Sequence, residues 1–219
     1  MELRSIEGVD FSGARILMRV DFNIEQSNIG DIEEHFRLDI AKKTVDRLAE
    51  STGAKIALLT HFGRPDGQPN PEYSVSKLTD AVARSLKREV VFVPDCVGET
   101  VVSALDALLP GQVLLLENVR FYPEEETNNA EFAARLAAPF THYVNEAFSV
   151  CHRAHASVEA VTRLLPSYAG PRLVEELIEL DRVRQSPEHP AIAIIGGAKI
   201  ETKLPLIQAL EKSYDAVLV

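Results

Sequence analysis

The sequence predicts an α/β fold: a three-layer, Rossmann-like domain in which a mostly parallel sheet is flanked by helices. Three observations carry this. Short apolar runs alternate with segments of helical period. Most of the runs are apolar throughout, as strands buried on both faces are. Their order is β-α-β-α, which makes successive strands parallel through right-handed crossovers.

The strand candidates, in order, are RILMRV (15–20), KIALLT (55–60), VVFV (90–93), QVLLLE (112–117), HYVNEA (142–147), AIAIIG (191–196) and AVLV (216–219). Between them lie helical stripes. Phe36, Ile40, Thr44 and Leu48 recur every four residues, with Gly53 as a stop. Val75, Leu78, Val82 and Leu86 form a second stripe; Val101, Val102, Leu105 and Leu108 a third, closed by Pro110-Gly111; Phe132, Leu136 and nearby alanines a fourth. PRLVEELIELDRVRQ (171–185) predicts a longer helix, which SPEHP (186–190) breaks. The expected organisation is an α/β domain over 1–170, a connecting helix over 171–186, and the opening of a second domain over 187–219. Roughly 30 residues cannot cover both faces of a parallel sheet, so this last part is expected to be incomplete.

Composition narrows the function classes. The 219 residues are 46% hydrophobic, enough for a packed core, and carry a net charge of −10. The pI of about 5.1 argues against nucleic acid as a partner, because such affinity rests on basic surface. No apolar run reaches the length of about 18 residues that spans a membrane. The first residues, MELRSIEGVDFSG, lack the apolar core of a signal peptide. Cys96 and Cys151 offer no disulfide framework, so a reducing cytoplasm is expected.

In open α/β sheets, ligands bind beyond the carboxyl ends of the strands. After the first strand come Asp21, Phe22 and Asn23; after the second, His61, Phe62, Gly63 and Arg64; after QVLLLE, Arg120; after HYVNEA, His152-Arg153-Ala154-His155. Arg37 opens the first helix near the same edge. Arginine forks bind phosphate and carboxylate bidentately. Asp21 and Asn23 add acceptors and an amide donor suited to hydroxyls. Each residue alone also has an ordinary reading. A loop arginine is commonly a surface ion pair worth less than about 1 kcal/mol. His61 reads as a hydrogen-bonded loop residue, His152 and His155 as a spacing too sparse for a metal, Glu124 to Glu126 as a solvated acidic loop, and Cys151 as a thiol without an evident base. The repetition at four strand ends is what favours a site for an anionic ligand.

The tail carries Gly196-Gly197-Ala198-Lys199 and then Lys203, directly after AIAII. A glycine turn with lysines suits phosphate contact, although neither P-loop nor dinucleotide-fingerprint spacing is present.

Taken together, VDFN (20–23), THFGRP (60–65), LLLENVRFYPEEE (114–126), NEAF (145–148), HRAHAS (152–157) and IIGGAK (194–199) resemble the phosphoglycerate kinase family. The resemblance runs from the N-terminus to the last residue and covers about the first half of that family's two-domain chain. It implies reversible phosphoryl transfer between 1,3-bisphosphoglycerate and ADP, giving 3-phosphoglycerate and ATP with Mg2+. It assigns substrate contacts to Asp21, Phe22, Asn23, Arg37, His61, Phe62, Gly63, Arg64, Arg120 and Arg153. Nucleotide contacts fall to Gly196, Gly197, Lys199 and Lys203, and Arg37 and Lys199 would also neutralise the phosphoryl group in flight. It further implies a hinge role for helix 171–185, magnesium ligands outside these residues and a monomeric full-length form. Charge and hydropathy lead us to expect no nucleic-acid or membrane partner, and the sparse nucleotide side leads us to expect no turnover by residues 1–219 alone. The sequence departs from the family at Ile24-Glu25, at Glu146 in place of the usual aspartate, and at Gly170-Pro171-Arg172. The competing reading is a non-catalytic module that binds a phosphorylated three-carbon acid.

Overall fold

A computed structural model describes residues 3–24, 32–197 and 203–219, with backbone alone for 32–36. The chain divides into two compact units, Met1–Leu173 and Val174–Val219.

The first unit is built on six strands: β1 Arg15–Arg19, β2 Lys55–Leu59, β3 Val90–Val93, β4 Val113–Leu116, β5 His142–Asn145 and β6 Ser167–Ala169. Their spatial order is β3-β4-β2-β1-β5-β6, and each described pair is parallel. The helices are α1 Ile32–Ala49, α2 Thr79–Leu86, α3 Glu99–Ala107, α4 Pro123–Glu126, α5 Ala130–Ala137 and α6 Pro171–Gln185.

The unbroken apolar runs have a direct cause. Successive side chains of a strand point to opposite faces. Ile16, Met18, Ile56, Leu58, Val113 and Leu115 pack on one face, with Leu38, Val45, Val82 and Leu86 of α1 and α2. Leu17, Ala57, Leu59, Leu114 and Leu116 pack on the other, with Val101, Leu105, Phe132 and Leu136 of α3 and α5. Both faces are therefore dry, and neither register of the strand tolerates polar residues.

Three features differ from expectation. The buried face of α1 is Leu38, Ala41, Val45 and Leu48, with Thr44 beside it, while Ile40 is half-buried. A strict four-residue row drifts round a helix of 3.6 residues per turn, so 3-and-4 spacing follows the core better. The side chain of Phe36 lies outside the described residues. Strand β6 was not expected: three residues between Pro166 and Gly170 are too short for a readable pattern. Val75 and Leu78 are buried as predicted, but on a 3-10 turn that precedes α2.

The departures at Glu146 and Gly170 meet in space. The buried Glu146 carboxylate accepts from Thr44 Oγ1 on α1, from Arg172 N at 3.3 Å and from Leu173 N at 3.4 Å. It thus caps the start of α6, where a negative charge is favoured by the helix dipole. A Cβ added at Gly170 would run into this carboxylate. Gly170→Ala is therefore expected to destabilise the first unit by about 1–3 kcal/mol, the range for overpacking. Urea unfolding measures it, and Glu146→Asp in the same chain should recover part of the loss by shortening the obstructing side chain.

The second unit contains the remainder of α6, the parallel pair β7 Ile192–Ile194 and β8 Ala216–Leu218, and α7 Leu204–Leu210. Asp215 Oδ2 accepts from Ala191 N at 2.6 Å and pairs with His189 Nδ1 at 2.7 Å. Among the described residues no helix is long and apolar enough to cross a membrane.

Candidate functional site

Strand β1 has β2 on one side and β5 on the other, so the chain's path reverses direction there. Such a switch point opens a crevice between the loops that leave the carboxyl ends. A cleft of about 290 Å³ lies there, lined by Asp21, Asn23, Arg37, His61, Gly63, Arg64, Arg120, Ser149, Val150 and Arg153. Eight of these were singled out from the sequence; Ser149 and Val150 were not. Phe22 and Phe62 are not brought to the cleft. Each is 1% exposed and packs in the core beneath the loops. Their backbones hold the loops instead: Phe22 N donates to Thr60 Oγ1 at 3.0 Å and Phe62 N to Asn118 Oδ1 at 3.2 Å.

The loops are fastened to one another by polar side chains. Asn23 Oδ1 accepts from Gly63 N at 2.8 Å, tying the β1 loop to the β2 loop. Gly63 sits at φ +62°, and a Cβ there would strike the Tyr73 ring, so glycine is required twice over. Buried Asn118 uses its whole amide. Its Oδ1 accepts from Phe62 N and from Arg120 N at 3.1 Å; its Nδ2 donates to Phe62 O at 2.6 Å and Tyr73 O at 2.9 Å. Asp21 Oδ2 accepts from Ser149 Oγ at 2.6 Å and from Arg37 Nη1 at 3.3 Å.

The electrostatics are lopsided. Four guanidiniums, of Arg37, Arg64, Arg120 and Arg153, face one cleft whose lining includes a single carboxylate, Asp21. Arg120 is buried; its Nη1 donates to Gly63 O at 3.0 Å, and its Nε lies 3.1 Å from Glu126 Oε1 without hydrogen-bond alignment. Arg64 has no hydrogen-bond or ion-pair partner among the described residues, and Arg153 has no carboxylate partner among them. In a chain of net charge −10, two cleft arginines without a carboxylate partner among the described residues favour an anion.

His61 is 5% exposed, and Arg19 Nη2 lies 3.1 Å from its Nδ1. Burial first, then the charges of Arg19, Arg120 and Arg153, push the imidazole from 6.5 down to about 2. Between those values the unfolded chain binds a proton that the folded chain does not. His61 therefore adds stability above pH 6.5 that is lost as the pH falls toward 2. The slope approaches about 1.4 kcal/mol per pH unit. Denaturant unfolding of His61→Gln between pH 7 and 5 should show a shallower decline than wild type; equal slopes would contradict the depressed value.

Behind the cleft lies a buried polar chain that the sequence did not announce. Glu125, read as part of a solvated acidic loop, is fully buried in α4. It accepts from Ser157 N at 2.8 Å and Ser157 Oγ at 2.6 Å, and Arg19 Nε donates to Ser157 Oγ at 3.1 Å. PEEE gives no hint of this, because the partner arrives from a loop some 30 positions on. Arg19 did carry a signal: a charge at the end of a strand buried on both faces needs a partner. Among the described residues no three or more His, Cys, Asp or Glu side chains could hold a metal.

Gly196, Gly197 and Lys203 belong to the second unit. Gly197 has φ +114°, and Lys203 Nζ donates to Gly196 O. Lys199 lies outside the described residues.

The family model for phosphoglycerate kinase matches residues 6–219. The chain belongs to the phosphoglycerate kinase family. It is 45% identical over 219 residues to the phosphoglycerate kinase of Bartonella tribocorum and 41% identical to that of Coprothermobacter proteolyticus, covering all of this chain and 55% and 56% of those proteins. Two solved phosphoglycerate kinases share its fold. That of Coxiella burnetii superposes with a TM-score of 0.81 at 30% identity, over 99% of this chain and 54% of the other. That of Pyrococcus horikoshii gives 0.85 at 27% identity, over 98% and 54%. The chain thus spans about half the length of the phosphoglycerate kinases it matches. The stretches that carry the family resemblance at VDFN, THFGRP and NVRF are the ones that leave β1, β2 and β4 to line the cleft.

Proposed function

We propose that the cleft of the first unit binds the phosphorylated three-carbon acid of the phosphoglycerate kinase reaction, 3-phosphoglycerate or 1,3-bisphosphoglycerate. The observation that carries this is the convergence of four arginines on one cleft, two of them without a carboxylate partner among the described residues. A ligand with a phosphate and a carboxylate at opposite ends of three carbons can use several forks at once. Asp21 and Asn23, at the cleft wall, are suited to its hydroxyl.

In this reading the reaction is phosphoryl transfer between that acid and ADP. Transfer depends on positioning and charge neutralisation more than on covalent chemistry. Arg37, exposed at the cleft and held by Asp21 and Asn23 O, is placed to meet charge that builds between donor and acceptor. Gly196, Gly197, Lys199 and Lys203 are assigned to the nucleotide phosphates. Magnesium would arrive with the nucleotide. Among the described residues no group of three or more His, Cys, Asp or Glu side chains could hold it. A cytoplasmic location goes with this reading; Cys96 and Cys151 are both free thiols.

Arg64→Ala and Arg153→Ala should each weaken 3-phosphoglycerate binding by about 1–3 kcal/mol, the range for charge-assisted hydrogen bonds. Titration calorimetry reads this directly. Unchanged affinity in both variants would remove these arginines from the site.

A further inference from the structure

Arg19 is 1% exposed at the end of β1, and its guanidinium is fixed on three sides. Nε donates to Ser157 Oγ, Nη1 donates to Val20 O, and Nη2 lies 3.1 Å from His61 Nδ1. A guanidinium has five N–H donors and no acceptor. The lone pair in the third contact must therefore be that of Nδ1, and the His61 proton sits on Nε2. That nitrogen has no protein partner among the described residues. Nor is it sealed away, since the buried side-chain nitrogen or oxygen left without a partner among them is Arg120 Nε alone. His61 lines the cleft.

We propose that Arg19 is a positioning residue: it holds His61 in the Nε2–H form, a neutral hydrogen-bond donor to the anion in the cleft. The other neutral tautomer would turn a lone pair toward that anion and set Nδ1–H against the guanidinium. The imidazolium would place a cation beside Arg19. Both are opposed by the same contact. Arg19 in turn is steadied by Ser157, whose hydroxyl donates to Glu125 Oε1 at 2.6 Å, so a polar chain runs from α4 to the cleft wall. The inference rests on the proposed anion site for its purpose, but not for its test.

The test is nitrogen-15 NMR of the whole chain labelled at arginine and histidine, without ligand, at pH 7. The sequence has six histidines, and His61 is identified by the signal lost in His61→Gln. The expected wild-type spectrum shows Nε2 protonated, Nδ1 bare, and a coupling across the hydrogen bond from Arg19 to Nδ1. Arg19→Met should give a mixture of tautomers and bind 3-phosphoglycerate about tenfold more weakly, as for one lost charge-assisted contact. Arg19→Lys, which keeps a donor, should restore Nε2–H. A protonated Nδ1 in the wild type, or an unchanged Nε2–H in Arg19→Met, overturns the proposal. If Arg19→Met does not fold, the wild-type tautomer and coupling decide. Failure of the wild type to bind 3-phosphoglycerate would count against the proposed ligand and not against the tautomer, which is read in its absence.

Discussion

Glu125→Ala is expected to lower the stability of the first unit by about 3–5 kcal/mol, the range for breaking a buried, hydrogen-bonded charge pair. Glu125 is fully buried and Arg19 is 1% exposed, and Ser157 Oγ stands between them, accepting from one and donating to the other. Burial holds the Glu125 carboxyl above its ordinary value, while Arg19 and the Ser157 hydrogen bonds pull it down. Removing the carboxylate strips two partners from Ser157 and leaves a buried guanidinium without a counter-charge. Glu125→Gln should lose less, because its amide oxygen can keep one of those bonds. Urea unfolding of both variants measures the difference. A loss below about 1 kcal/mol in Glu125→Ala would place it with exposed ion pairs and contradict the burial argument.

Asn118→Ala is expected to damage stability and binding together. Four hydrogen bonds converge on its amide and fix the backbone of Phe62, Tyr73 and Arg120. Each buried group left unsatisfied costs about 1–3 kcal/mol, and water entering the gap recovers part, so a total of about 3–5 kcal/mol is expected. The same substitution frees the loops that place His61, Gly63 and Arg120. Affinity for 3-phosphoglycerate should then fall by about tenfold or more, because misplaced contacts forfeit the advantage of a preformed site. Unfolding and calorimetry on one sample separate the effects. Lost stability with unchanged affinity would show that Asn118 supports the fold without positioning the cleft.

Much of the frame was legible because burial on both faces writes itself into composition. RILMRV, KIALLT and QVLLLE admit no polar position on either face until the strand ends. The cleft was legible for the same reason: polar residues resume at those ends, and eight of the residues singled out there line one cavity. What stayed hidden depended on partners distant in sequence. Glu125 looks solvated until Ser157 is brought to it, and Ser149 becomes part of the wall only through Asp21. Phe22 and Phe62 share motifs with cleft residues yet pack inward, because motif spacing does not say which side chain of a loop turns to the core. The short β6 carried too few residues to show any period.

Binding of a phosphorylated three-carbon acid in this cleft is tested most directly by titrating the isotopically labelled chain with 3-phosphoglycerate and following its backbone amides. Saturable shifts are expected, concentrated on the loops that leave β1, β2, β4 and β5, around Asn23, Gly63, Arg120 and Arg153. Those shifts should be reduced in Arg64→Ala. Saturation with shifts centred elsewhere, or no change up to millimolar ligand, would contradict it.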